Sequence, residues 1–255
     1  MNTKQTKMIL IILAVLMTQD LSAVSYDMII KKSDGTIIRS AVTEIDSMIF
    51  LETGTVTDID GNTYKTVKIG DQWWMAENLR TTRYSDFTEI PNVIDNAAWT
   101  ELNTGAYCYY DNDSNSYAGT YGALYNWYAL NDARNIAPEG WHVPTDAEWT
   151  TLVNYLGGVS VAGGKLKEIN TLHWNSPNTG ATNEAGFAAL PGGLRSAWAG
   201  TFMEMGNFTF FWSASEKNTT DVWCYYLMYN ETYFISSGHS KGFAYSVRCV
   251  KDETP

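Results

Sequence analysis

The sequence predicts an α+β fold, and three observations carry that prediction. The segment "PTDAEWTTLVNYLGG" has a capped start, one apolar face and a glycine end, which is the signature of a helix. The last fifty residues hold four strand-like runs separated by Asn, Glu, Ser and Gly turns, a β-meander pattern. Between them lies "HWNSPNTGATNEAGFAALPGGLRSAWAGTF", rich in Gly, Asn and Pro, which reads as a long ordered loop region. The 255 residues suffice for one large domain, or a medium domain with a small companion.

Residues 1–23 read as a secretory signal peptide. Lys4 and Lys7 precede the apolar run "MILIILAVLM", and small residues come next, with a cut after Ala23. The run is too short to span a bilayer, and no later segment is apolar enough to do so. Residues 24–52 read as a short β leader, with "YDMIIKK" and "TIIRSAV" flanking the turn "SDG" and the apolar run "EIDSMIF" closing it. It is too small to be stable alone, so it is expected to add strands to the larger domain after it. The main domain is placed at residues 53–255, entered through a linker "ETGTVT".

Within the domain, "DIDGNTY" reads as a hairpin turn, "YKTVKI" as a strand and "WWMAENL" as a strand or short helical turn. Residues 81–120 are polar and read mostly as loop, apart from a strand at "AYCYY". A helix is expected to begin near Tyr121 or Gly122, because Leu124, Trp127 and Tyr128 fall at helical spacing. In the next helix Thr145 is the N-cap and Glu148 closes a capping box. Asp146 favours the positive end of the helix dipole. Trp149, Leu152, Val153 and Leu156 form the apolar face, and Gly157 and Gly158 end it. Position alone thus explains both acids, and His142 has no evident charged partner. "GGKLKE" reads as a further turn or short helix. The closing strands are "FTFFWSAS", "VWCYYLMY", "YFISSG" and "AYSVRCVKD", with "GHS" as a turn.

The formal net charge of −11 becomes −12 when residues 1–23, with two lysines and Asp20, are removed. Such a surface repels phosphate backbones and anionic lipid, so nucleic acid is excluded as a partner. Cys108, Cys224 and Cys249 match no zinc spacing, and their odd number leaves a thiol unpaired within a monomer. The 10 Trp and 16 Tyr fit a core filled with large rings better than a sugar-stacking surface.

Seven blocks, in order, resemble one family: "DIDGNTYKTVKIGDQWWMAENL", "YGALYNWYAL", "GWHVPTDAEWTTL", "GGKLKE", "ATNEAGFAALPGGLR", "FWSASE" and "VRCVKD". They are similar to the Fibrobacter succinogenes major paralogous domain over roughly residues 55–252, a domain of exported bacterial proteins. That domain resembles the C-type-lectin-like fold and the formylglycine-generating enzymes, whose helix start is similar to "VPTDAEW". The resemblance implies a C-type-lectin-like architecture: two helices on a small twisted antiparallel sheet, with long ordered loops carrying the variable surface. Members usually carry Cys-Pro before "GWHVP", where this chain has Ala137-Pro138. Cys224 stands where members usually have another residue, so the usual pairing is lost or rerouted. A Cys224–Cys249 bridge between neighbouring strands stays open.

No nucleophile motif surrounds His142, His173 or His239, and there is no HExxH, Walker or GxGxxG pattern. Calcium is the metal candidate, through Asp111, Asp113 and Asn115 of "DNDSN". The sixth and twelfth positions, Ser116 and Gly122, break that pattern, and a polar turn explains it better. "DIDGN" is likewise read as a hairpin turn. "SPN" and "WNS" only echo lectin sugar motifs. Trp174, Asn175, Asn178, Asn183, Glu184, Arg195 and Trp198 mix rings with amides and charges in a way that suits sugar hydroxyls and CH faces. The competing reading has them building the loop itself. The expected function is an exported, non-enzymatic binding module in the periplasm, on the cell surface or secreted, recognising a glycan or a surface protein. The alternatives are a structural part of a surface assembly and a formylglycine-generating-type oxidase.

Overall fold

The computed structural model describes residues 26–31, 37–42 and 51–253. The signal segment 1–23 and the apolar run at 44–50 lie outside the described residues. The chain divides into two units near residue 50. In the first, β1 (Tyr26–Lys31) and β2 (Ile37–Val42) pair antiparallel, Tyr26 opposite Val42 and Lys31 opposite Ile37, as the leader's two apolar runs predicted.

The second unit is mixed α and β, dominated by two largely antiparallel sheets rather than one small one. The first has five strands in the order β3 (Thr53–Thr57), β4 (Thr63–Ile69), β5 (Gln72–Met75), β15 (Val250–Lys251) and β8 (Trp141–His142). The segment read as a linker is therefore β3, an edge strand whose Val56 faces Tyr64 across the hairpin. Alternating Thr and Val in "TGTVT" carried that signal. The "DIDGN" turn forms as expected: the buried Asp58 carboxylate accepts from the backbone N–H groups of Asp60 and Asn62 and from the Tyr64 hydroxyl, and Gly61 takes φ 84°.

The larger sheet has eight strands. Its path runs β13 (Ile235–Ser240), β12 (Asp221–Met228), β11 (Phe208–Glu216), β9 (Gly192–Arg195), β14 (Ala244–Tyr245), β7 (Leu124–Asn126), β6 (Tyr107–Cys108), with β10 (Phe202–Met205) on β9. β11, β12 and β13 form the expected meander. The "GHS" turn is instead the end of β13, with His239 opposite Val222. The run "AYSVRCVKD" is two strands, not one. β14 closes the large sheet and β15 enters the small one, so residues 244–251 tie the sheets together. Neither short piece shows a break in its apolar pattern, so composition alone reads them as continuous.

Among the described residues five short α-helices decorate the sheets: α1 (Asn96–Thr100), α2 (Ser114–Tyr121), α3 (Trp127–Leu130), α4 (Asp146–Tyr155) and α5 (Val159–Leu166). α4 is the helix read from sequence. Its capping box is complete, with Thr145 Oγ1 accepting from the Glu148 N–H at 3.3 Å and the Glu148 carboxylate accepting from the Thr145 N–H at 2.8 Å. Trp149, Leu152, Val153 and Leu156 are buried. The helix expected from Tyr121 onward is corrected. α2 lies just before it, in the stretch read as loop, and Gly122 (φ 74°) ends it. Leu124 then belongs to β7, and only one helical turn, α3, comes after. α5 carries Gly163 and Gly164, where an added Cβ would collide with the carbonyls of Tyr233 and Gly180 respectively.

The core is aromatic, as the tryptophan count suggested. Trp74, Trp99, Trp149, Trp174 and Trp212 are fully buried. β11 and β12 are buried on both faces. Phe210, Trp212, Val222 and Cys224 join one cluster, whereas Phe211, Tyr225 and Leu227 join the other, with α4 packed on it. No helix among the described residues is long and apolar enough to cross a membrane.

Candidate functional site

Most of the residues singled out in the long loop hold the loop together. Trp174 is 1% exposed, and its indole N–H donates to the Ala189 carbonyl, so it presents no ring face to a ligand. Arg195 is fully buried on β9. Its guanidinium donates to the carbonyls of Gly200, Val93, Ile94 and Asp95 and to Asn96 Oδ1, and stacks on Trp99 and Phe202. Asn178 and Asn183 take φ of 46° and 48° and bond the backbone of Glu168, Asn170 and Ala188. Glu184 pairs with Lys165 at 2.9 Å. Asn175 is exposed and bonded to Asn207. Only Trp198, 78% exposed and edge-on to Phe243 at 4.8 Å, offers a free ring.

The metal candidates are also corrected. Asp113 is the N-cap of α2, its carboxylate accepting from the Ser116 N–H at 3.1 Å. Asp111 sits in a preceding 3-10 turn with φ 51°, and Asn115 is exposed in the first turn of α2. Among the described residues no group of three or more His, Cys, Asp or Glu is arranged to hold a metal ion. Cys108, Cys224 and Cys249 are all buried and unbridged; Cys224 lies in the large sheet and Cys249 just before β15 of the small one. Burial pushes all three thiols well up, that of Cys108 to about 12, the reverse of what a reactive thiolate needs.

His142 does have charged partners, two of them. Its Nε2 lies 2.7 Å from Glu148 and its Nδ1 2.6 Å from Asp252. The Glu148 and Asp252 bonds raise its pKa to about 9 against the opposing effect of burial. Both ring nitrogens are engaged, so neither is free to take a proton from a substrate. The imidazolium pins the start of α4 and β8 to the chain beyond β15.

The concave surface lies elsewhere, around α2. One cleft of about 490 Å³ is lined by Asp60, Asn62, Arg80, Thr82, Arg83, Tyr109, Ala118 and Gly119. A second, of about 300 Å³, includes Lys65, Glu77, Asn78, Thr120, Glu168 and Arg248. Gly119 lines both. Within the first, burial works against the Asp60 charge, but the Thr82 N–H and hydroxyl and Arg83 hold its carboxyl below its usual range. In the second, Arg248 is buried and donates to Asn78 Oδ1 and to the carbonyls of Met75, Phe187 and Ala188.

Half-buried aromatic rings run beside the second cleft. Phe202 meets Tyr110 at 5.3 Å, Tyr110 meets Tyr117 at 5.3 Å, Tyr117 meets Tyr121 at 6.0 Å, and Tyr121 meets His173 at 5.7 Å. All five are partly exposed. His173 is held by Glu168 at 2.8 Å, and Glu168 lines the second cleft, so the ring row and that cleft adjoin. The row rests on Gly192 and Gly193 of β9; a Cβ at Gly193 would come 2.9 Å from the Tyr110 ring. Tyr117 and Tyr121 are four apart, on one face of α2, whereas Tyr110 comes from the separate turn before it, so no single periodic pattern marks the row.

No curated protein and no solved structure matches the chain significantly. The Fibrobacter succinogenes major domain matches residues 67–251, from inside β4 to the last strand, and leaves the β3–β4 turn with Asp60 outside the matched stretch. That match covers most of the chain, and the chain belongs to the Fibrobacter succinogenes major domain family.

Proposed function

We propose that this domain is an exported, non-enzymatic binding module that recognises a glycan across the surface of α2. The observation that carries the reading is the row of partly exposed rings from Phe202 to His173, adjoining the second polar cleft through the His173–Glu168 pair. Rings offer apolar faces to sugar CH groups, and the cleft side chains offer donors and acceptors to hydroxyls. α2 itself buries no residue, so its tyrosines are placed for contact rather than for the core. The C-type-lectin-like architecture belongs to the same proposal; long ordered loops and a small sheet closed by the C-terminal strand support it.

Tyr117→Ala and Tyr121→Ala are expected to weaken binding of a glycan-array hit by roughly tenfold or more, the scale of a lost aromatic contact. Thermal stability should stay near that of the parent. Full retention of binding in the double variant would sink the reading. A protein partner is the second reading, favoured by Trp198 standing exposed on Phe243 as a ring anchor does in a protein interface.

A further inference from the structure

We infer that the larger cleft is an acidic-sugar subsite, in which Arg80 and Arg83 receive the carboxylate of a uronate-type residue. The inference rests on the glycan reading above and narrows its ligand class. Three observations support it. First, the cleft gathers two arginines in a chain whose formal charge is −11. Arg195 and Arg248 are buried, and Arg134 is paired with Asp132. The one acid lining the cleft, Asp60, is already paired with Arg83 and accepts from Thr81 and Thr82, so it does not cancel both cations.

Second, the guanidinium groups are oriented but not consumed. Arg83 uses Nε on Asp60, and among the described residues its two Nη groups make no hydrogen bond. Arg80 stacks over Tyr64 at 4.6 Å and donates through Nη2 to the Thr63 carbonyl at 3.1 Å, with Nε and Nη1 unspent among the described residues. Pre-oriented planar forks of this kind suit a carboxylate. A single carboxylate on a neutral sugar also avoids the repulsion that an acidic surface exerts on a densely charged polyanion.

Third, Gly119 keeps the cleft open without a packing reason. It lies inside α2 with no left-handed φ, and an added Cβ would meet nothing within 4 Å. Glycine inside a helix is unfavourable relative to alanine, yet this one stands where the two clefts join. A side chain there would project into the space a ligand needs.

The test is a calorimetric titration of the purified chain with a xylo-oligosaccharide bearing a single glucuronate branch and, separately, with its methyl ester. The ester keeps rings and hydroxyls and loses the charge. The acid is expected to bind at least tenfold more tightly than the ester. Arg80→Gln with Arg83→Gln should remove that preference, consistent with loss of charge-assisted bonds. Gly119→Leu should weaken binding of both ligands while leaving the melting temperature equal or higher, which separates blockage from misfolding. Equal binding of acid and ester would overturn the acidic subsite and leave the glycan reading standing. Binding that survives both the arginine exchange and Gly119→Leu would likewise place the ligand elsewhere. Binding of neither saccharide overturns both.

Discussion

His142 shows how a residue's neighbours in space revise its reading. In sequence it stood alone beside a capping box. In the fold, Asp252, 110 positions away, and Glu148 close on both its nitrogens. Its folded pKa, about 9, lies above the ordinary 6.5. The stability it contributes is therefore fully present below pH 6.5 and lost as pH rises through about 9. Urea unfolding between about pH 6 and 10 should show this slope in the parent, and His142→Gln should flatten it; an unchanged slope would refute the clamp. Trp174 and Arg195 make the opposite case. Both looked like ligand contacts because rings, amides and arginines serve loops and sugars alike. Trp174→Ala is expected to cost about 3–5 kcal/mol as a core cavity. Arg195→Met should cost roughly 3 kcal/mol, because it strands several buried carbonyls. Denaturant midpoints check both, and a loss under about 1 kcal/mol in either would contradict the packing described.

At the scale of elements, what the sequence made legible depends on how local each signal is. α4 was readable to its last cap because its box, apolar face and glycine stop all lie within one short stretch. The β11–β13 meander was readable for the same reason. β14 and β15 were not, since their break is set by pairing with β7, β9, β5 and β8, far away in sequence. α2 was missed because it has no buried stripe to produce a periodic signal, and its N-cap Asp113 resembled a cation loop. Asp113→Ala is expected to lower stability by about 1 kcal/mol, equally with calcium or with chelator. A calcium-dependent difference in melting temperature would restore the metal reading. Gly119→Ala should raise stability by roughly 0.5–1 kcal/mol, since nothing opposes the added methyl.

Across residues 51–253 the chain passes between the two sheets four times, by the shortest link at 244–251, and the aromatic core fills both faces of β11 and β12. The candidate site was the least legible part. Its clefts combine the β3–β4 turn, the stretch after β5, and α2, which no local pattern brings together. Ligand recognition on α2, rather than on the Trp198 loop, is the proposition on which the functional reading stands or falls. It is best examined by residue-resolved NMR of the isotopically labelled chain during titration with a saccharide that binds it. The amides of Tyr117, Gly119, Thr120 and Tyr121 are expected to shift together and saturate at one affinity. Shifts confined to residues 196–200 around Trp198, with α2 silent, would contradict it.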